Sequence, residues 1–144
     1  MQEYPHHYKV AADAKPDGEV SVTSDKLAPI PSQPPAQFGG PGDKWSPETL
    51  LTAAVADCFI LTFRAIARAS KVSWNSLKCE VEGKLERKDG KTLFTEFVVR
   101  ATLSVPQDVR EERAQRLLEK AEETCLVTNS LTSAKRLEAV VTHA

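Results

Sequence analysis

The sequence predicts an α+β fold in which helices pack on antiparallel β-sheet. Two groups of strands are separated by helices, and short hairpin turns join the strands in place of regular βαβ crossovers. A helix predicted over residues 46–70 has apolar residues all around its circumference, which is typical of a core helix buried on most sides. A chain of 144 residues is long enough to bury a core, so we expect a single domain over residues 1–144.

The start of this core helix is well marked. Ser46 is a favourable N-cap residue, and Pro47 suits the first helical position. Between residues 50 and 63 the only formally charged residue is Asp57. Because a membrane-spanning helix needs about 20 mostly apolar residues, and Asp57 and Arg64 interrupt this run, we expect a core helix and no contact with a membrane.

The segment before the core helix contains a predicted hairpin and a long loop. Strand-like residues 8–10 and 19–23 flank a Lys-Pro-Asp-Gly turn at residues 15–18. Six of the nine prolines then fall between residues 28 and 47, which prevents long regular structure. A loop of this length is usually functional or wraps around a partner.

Two longer strands are predicted after the core helix. From residue 77 to residue 86 apolar and charged residues alternate, which is the pattern of a strand with one buried face. Cys79 lies on the apolar side of this pattern, and we predict that it packs in the core without a chemical role. A turn at residues 89–90 leads into an apolar return strand over residues 97–105, which completes an antiparallel hairpin.

A second helix is predicted to follow. Asp108 and Glu111 have the spacing of a capping box, with Asp108 as the N-cap. The apolar stripe of this helix continues onto Cys125, which is therefore expected at the helix end, facing the core. A short helical turn at residues 128–129 and a closing strand over residues 137–142 complete the predicted elements.

Composition excludes several classes of function. A net charge of −1 without a basic cluster argues against nucleic-acid binding. Three widely spaced cysteines form neither a disulfide framework nor a CxxC motif, and the three histidines lie near the chain ends, so we predict no metal and no other cofactor. The first ten residues lack the features of a signal or transit peptide, and we expect a cytoplasmic protein.

Two segments together resemble the OsmC/Ohr family of osmotically inducible and organic hydroperoxide resistance proteins. They are Gly-Asp-Lys-Trp-Ser-Pro-Glu-Thr-Leu-Leu at residues 42–51, continued by Ala-Ala-Val-Ala-Asp-Cys at residues 53–58, and Cys-Leu-Val-Thr-Asn-Ser-Leu at residues 125–131. The resemblance implies an OsmC-like fold, with antiparallel sheets wrapped around a buried central helix. It also implies an intertwined homodimer with two active sites at the interface.

The same resemblance implies a two-cysteine, thiol-dependent peroxidase that reduces organic hydroperoxides in oxidative stress defence. Matched to the family pattern, Glu48 is the active-site carboxylate, Cys58 the peroxidatic thiol and Cys125 the resolving thiol. Cys58 would become a sulfenic acid and then form a disulfide with Cys125. An external dithiol of the lipoyl or small-thiol type would reduce that disulfide. This sequence departs from the pattern at Leu126, where the family usually has Pro, and at Thr128, which replaces Ser.

The family's activating arginine is missing, because no Arg precedes Arg64. Burial disfavours the thiolate that attacks a peroxide, so a nearby cation or hydrogen-bond donor is normally required. We therefore expect a weaker or differently directed thiol than in members that carry the Arg. Candidates for the missing group are Lys15, Lys44, His6, His7 and Gln37, with Lys44 and Gln37 favoured.

The substrate contacts are predicted from the loop and the core helix. We expect Gln37, Phe38, Lys44 and Phe59 to contact the substrate. The aromatic and aliphatic neighbours of Cys58 favour an organic hydroperoxide over a hydrophilic one.

The spacing of Glu48 and Cys58 bears on assembly. Ten residues along a straight helix separate them by about 15 Å and rotate them by about 80° around the axis. They share a site only if a second protomer supplies Glu48 or if the helix bends, and the first option agrees with the implied dimer.

Two other functions stay open at this point. The absent Arg allows a ligand-binding or redox-responsive dimer with little or no peroxidase turnover. Thiol-dependent hydrolysis by Cys58 ranks last, because no histidine is placed to act as its base.

Overall fold

The computed structural model describes residues 1–144, which form two units over residues 1–51 and 52–144. Two three-stranded sheets and three α-helices confirm the predicted α+β class. The boundary between the units falls within the long helix α1 (Pro47–Ala69).

The sheet of the first unit contains β1 (Ala11–Asp13), β2 (Val20–Thr23) and β3 (Ile30–Ser32). Both pairings in this sheet are antiparallel, with β2 in the centre. The predicted hairpin is confirmed, although its first strand lies over residues 11–13 and not over residues 8–10. β3 falls in the proline-rich segment and accommodates Pro31 because it is an edge strand.

Reciprocal hydrogen bonds confirm the predicted start of α1. The Thr49 amide donates to Ser46 Oγ over 3.1 Å, and the Ser46 amide donates to Thr49 Oγ1 over 2.8 Å. This is a capping box in which Thr49 takes the place of the usual Glu or Gln. Helix α1 ends at Ala69, shortly before Lys71, which has a left-handed φ of 56°.

Burial of α1 is limited to one stripe within the chain. Val55, Phe59, Phe63 and Ala67 recur at four-residue spacing and are buried, whereas Leu61 is 50% exposed. The expected burial on most sides is therefore not reached within one chain. By length and composition alone α1 could cross a membrane. Its buried stripe, including an edge-on contact between the rings of Phe63 and Trp74, is that of a core helix.

The sheet of the second unit is mixed. β4 (Ser76–Lys88) and β5 (Lys91–Val105) form the predicted antiparallel hairpin, through a turn in which Asp89 and Gly90 have φ of 51° and 77°. β6 (Ala134–His143) pairs in parallel with β5, so the prediction of an entirely antiparallel sheet is wrong at this strand.

The parallel pairing follows from the crossover between β5 and β6. Helices α2 (Glu111–Thr124) and α3 (Leu126–Asn129) lie between the two strands. The 14 residues of α2 span about 21 Å at 1.5 Å per residue, which is enough to return the chain along the sheet before the next strand begins.

Strand register gives this sheet one apolar and one charged face. Cys79 lies opposite Ala101, and Ala101 pairs on its other side with Ala139. On the opposite face Arg100 binds Glu82 and Glu138 at 3.3 and 3.1 Å. The apolar face, the α1 stripe and the α2 stripe supply most of the buried side chains of this unit.

Helix α2 begins later than predicted. Its N-cap is Arg110, which makes no side-chain capping bond, so the prediction of Asp108 as N-cap is wrong. Residues 106–109 form a turn in which the Val109 amide donates to the Pro106 carbonyl over 3.1 Å. This turn places Asp108 outside the helix. A ring nitrogen of His143 also lies 2.8 Å from the Val109 carbonyl oxygen.

Candidate functional site

Cys58 lies near the middle of α1 and is half-buried. Its Sγ atom is 3.8 Å from Thr62 Oγ1, one helical turn further along. Residues four apart share a helix face, so α1 itself holds this hydroxyl beside the thiol. The hydroxyl can donate a hydrogen bond to an anionic sulfur, and the sequence analysis did not identify it.

Cys125 lies at the joint between α2 and α3, as the last capping residue of one helix and the first of the other. Its side chain is 1% exposed, which confirms the predicted position facing the core. The Cys125 carbonyl accepts hydrogen bonds from the Asn129 amide over 3.0 Å and from Thr128 Oγ1 over 3.2 Å. Thr128 therefore stabilises the turn that carries the thiol.

Lys135 anchors this joint and was missed by the sequence analysis. Its Nζ atom donates to the Glu122 carbonyl over 2.8 Å and to Asn129 Oδ1 over 3.0 Å. Asn129 Nδ2 in turn donates to the Glu123 carbonyl over 3.1 Å. A lysine on the inward side of β6, where the next inward residues are Leu137, Ala139 and Val141, was the available signal. An ammonium group is favourable at the C-terminal end of a helix.

Two carboxyl groups lie at the end of α2. Burial raises the pKa of the Glu122 carboxyl above its usual value, the Lys135 ammonium opposes this rise, and Glu123 adds to it.

Cys79 projects from the apolar face of β4, as predicted. Burial raises the pKa of its thiol from 9.0 to about 11, and the next largest cause is the Cys125 thiol, ahead of Glu80. All three cysteines of the chain are free. The effect of Cys125 on the pKa of Cys79 is a relation between the two thiols that the sequence did not predict.

The remaining predicted site residues of the first unit lie on several elements. Gln37 and Phe38 belong to a single-turn 3-10 helix, and both are exposed. Lys44 Nζ lies 3.4 Å from Glu19 Oε1, so its charge is already engaged in an ion pair. Glu48 is half-buried in the first turn of α1.

An open cavity of about 510 Å³ lies at the loop that precedes α1. It includes Lys44 but neither Gln37 nor Phe38. The lining residues are Pro31, Gly42, Asp43, Lys44, Trp45 and Thr49.

Phe59 is almost fully buried within one chain. Its side chain is 1% exposed and belongs to the buried stripe of α1, and its contact with substrate stays a prediction. The face carrying Phe59 packs in the core because residues at four-residue spacing form one continuous stripe. The exposed apolar residues near the two candidate thiols in sequence are Leu61 and Leu126, at 50% and 68%.

Comparison with known proteins identifies the family. A sequence model described as OsmC-like protein matches residues 40–139. An uncharacterized protein of Bacillus subtilis, YmaD, is 26% identical over 100 residues, which are 67% of each chain.

Solved structures share the fold. An OsmC-like protein of unknown function from Vibrio cholerae superposes with a TM-score of 0.86 at 18% identity, over 94% of this chain and 100% of that one. An organic hydroperoxide resistance protein OsmC from Legionella pneumophila superposes with a TM-score of 0.76 at 24% identity, over 97% of this chain and 99% of that one. An organic hydroperoxide resistance protein from Elizabethkingia anophelis superposes with a TM-score of 0.76 at 22% identity, over 98% of this chain and 100% of that one. With the family match over most of its length and this shared fold, the chain belongs to the OsmC-like protein family.

Proposed function

We propose that this chain is a thiol-dependent peroxidase that reduces organic hydroperoxides to alcohols. The observation that carries the proposal is the half-buried Cys58 thiol on an apolar helix, with the Thr62 hydroxyl 3.8 Å from its sulfur. The family association with organic hydroperoxide resistance supports it. Three free thiols suit a reducing compartment, and we propose a cytoplasmic location for a single functional domain over residues 1–144.

The proposed reaction has three steps. The Cys58 thiolate attacks the distal oxygen of the hydroperoxide, the O–O bond breaks, and the alkoxide leaves as an alcohol after protonation. The resulting sulfenic acid condenses with the Cys125 thiol, which forms a disulfide and releases water. An external dithiol of the lipoyl or small-thiol type then reduces the disulfide by exchange.

The missing arginine is the main chemical difference from the family pattern. Thr62 supplies a neutral donor at the Cys58 sulfur, which favours the thiolate less strongly than a cation does. Lys44, one of the candidate substitutes, is engaged by Glu19. We therefore propose a slower peroxidatic step than in members with the Arg, with Glu48 as the active-site carboxylate supplied by a second protomer.

The exposed apolar surface supports a homodimer. Helix α1 buries only one stripe within its own chain, and Leu61 and Leu126 remain exposed. A second copy that covers these residues would remove apolar area from water. Sedimentation velocity at micromolar concentration should give a dimer, and a single monomeric species would contradict this assembly.

A second candidate is a ligand-binding or redox-responsive dimer with negligible turnover. It is favoured by the absence of any Arg before Arg64 and by the ion pair that engages Lys44. It predicts that wild-type protein consumes no hydroperoxide at stoichiometric concentration.

Mass spectrometry after titration with cumene hydroperoxide separates the two candidates. The peroxidase predicts that the denatured wild-type chain loses two hydrogens, that Cys125→Ser accumulates an oxidised Cys58, and that Cys58→Ser loses no hydrogens. Glu119→Ala, an exposed position on α2 with no assigned role, serves as the surface control. Fully reduced Cys58 in the wild-type protein would refute the peroxidase and favour the binding function.

A further inference from the structure

We propose that Cys79 is a second redox partner of Cys125, so that a Cys79–Cys125 disulfide forms within the core of the second unit. In the cell its formation rests on the proposed function, because the peroxidase cycle supplies the oxidising equivalents. The proposal gives a chemical role to a core thiol that the peroxidase cycle does not use.

The first support is the position of Cys79 in the sheet. Cys79, Ala101 and Ala139 form a row of small side chains across β4, β5 and β6 on the apolar face. Neither alanine extends beyond its Cβ atom, so the helical layer can approach the sheet closely along this row. The Cys79 side chain is the longest of the row, and its sulfur points toward the helical layer.

The second support is the anchoring of Cys125 over the same face. Lys135 pairs with Phe97, which pairs with Gly83, so Lys135 projects from the face that carries Cys79. Its bond to the Glu122 carbonyl ties the α2–α3 joint to this face. The Cys125 amide also donates a hydrogen bond to the Glu122 carbonyl, over 3.4 Å. The thiol is therefore held where the joint meets the sheet.

The third support is the interaction between the thiols themselves. Cys125 raises the pKa of Cys79 more than Glu80 does, although Glu80 is the adjacent residue in sequence. Side chains of consecutive strand residues point to opposite faces, so Glu80 lies across the sheet, whereas Cys125 lies on the side of Cys79.

Thiol–disulfide exchange provides a balanced route. The Cys79 thiol, which is mostly protonated, first loses its proton to solvent. The resulting thiolate attacks the Cys125 sulfur of the Cys58–Cys125 disulfide, the new S–S bond forms, and the old one breaks. The electron pair leaves on the Cys58 sulfur, which takes a proton from solvent. No additional oxidant is consumed. The exchange regenerates Cys58, so one chain can reduce two equivalents of hydroperoxide before a reductant is required.

The first experiment does not depend on peroxidase activity. The full-length Cys58→Ser chain is treated with diamide, an azo compound that accepts two electrons and two protons from a pair of thiols. Peptide mapping without reduction should identify a Cys79–Cys125 disulfide within one chain. Cys58→Ser combined with Cys79→Ala is the matched control and should give no such peptide. An alkylatable Cys79 after diamide, or disulfides only between chains, would overturn the proposal.

The second experiment measures stoichiometry. With cumene hydroperoxide in measured excess over the protein and no reductant, wild-type chains should consume two equivalents each, and both Cys79→Ala and Cys79→Ser should consume one. Equal consumption of one equivalent by all three would overturn the proposed exchange. No consumption by any of them would refute the peroxidase alone, and the diamide result would then decide whether the Cys79–Cys125 pair exists.

Discussion

Cys79→Ala should make the folded protein less sensitive to alkaline pH. The folded chain holds the Cys79 proton more tightly than an unfolded chain does, because burial and the Cys125 thiol raise its pKa from 9.0 to about 11. Between these two pH values the unfolded state has lost a proton that the folded state retains. The free energy of unfolding therefore falls as pH rises from 9 to 11, and this contribution is fully present below pH 9.

The size of the loss in unfolding free energy follows from the shift in the pKa of Cys79. Two pKa units correspond to about 2.7 kcal/mol at 1.36 kcal/mol per unit. Cys79 is only partly buried, so solvent screening reduces the expected loss to about 1–2 kcal/mol. Replacing Cys79 by alanine removes this loss, because alanine has no group that titrates.

Urea denaturation at pH 7 and pH 10.5 measures the difference. Both proteins are kept at one concentration with a phosphine reductant, so that neither oxidation nor assembly changes between samples. The free energy of unfolding of the wild type should fall by about 1–2 kcal/mol more than that of Cys79→Ala between the two pH values. Lysine and tyrosine titrations occur in both proteins and cancel in the comparison.

Two outcomes would refute this reasoning. Equal losses in both proteins would mean that the Cys79 thiol titrates alike in the folded and unfolded states. A Cys125→Ala variant tests the cause, because removal of that thiol should leave only the part of the shift that arises from burial and Glu80. An unchanged pH dependence in Cys125→Ala would mean that the two thiols do not interact.

Three further substitutions test packing and anchoring by urea denaturation. Gly83→Ala should cost about 1–3 kcal/mol, because the added Cβ would lie 2.8 Å from a ring carbon of Phe97. Lys135→Met should cost about 1.5–3 kcal/mol, since it removes the charged donor from the Glu122 carbonyl. Leu118→Ala should cost about 2–5 kcal/mol, because this fully buried side chain leaves a cavity in the core.

Exposed positions provide the controls for these three variants. Lys78→Met on the charged face of β4, Thr102→Ala on β5 and Glu119→Ala on α2 should each change stability by less than about 0.5 kcal/mol. A loss of stability in Lys78→Met as large as that in Lys135→Met would show that the bonds of Lys135 are not the cause. A neutral Gly83→Ala would mean that the Phe97 ring moves aside without strain.

Local sequence signals predicted much of the fold. Ser46 and Pro47 located the start of α1 because capping depends on neighbouring residues. Strict alternation predicted β4 and the inward position of Cys79, and the Asp89-Gly90 pair predicted the hairpin turn. The apolar spacing of α2 carried the prediction correctly to Cys125.

Contacts between distant residues required the tertiary structure. The direction of β6 depends on the path through α2 and α3, which no local pattern encodes. Asp108 has the residue type of an N-cap, but a turn from Pro106 takes it out of the helix. The sequence by itself placed the three thiols on their elements. Only the tertiary structure ties the joint that carries Cys125 to the sheet face that carries Cys79, through the Lys135 bond, because no local pattern relates residues 46 positions apart.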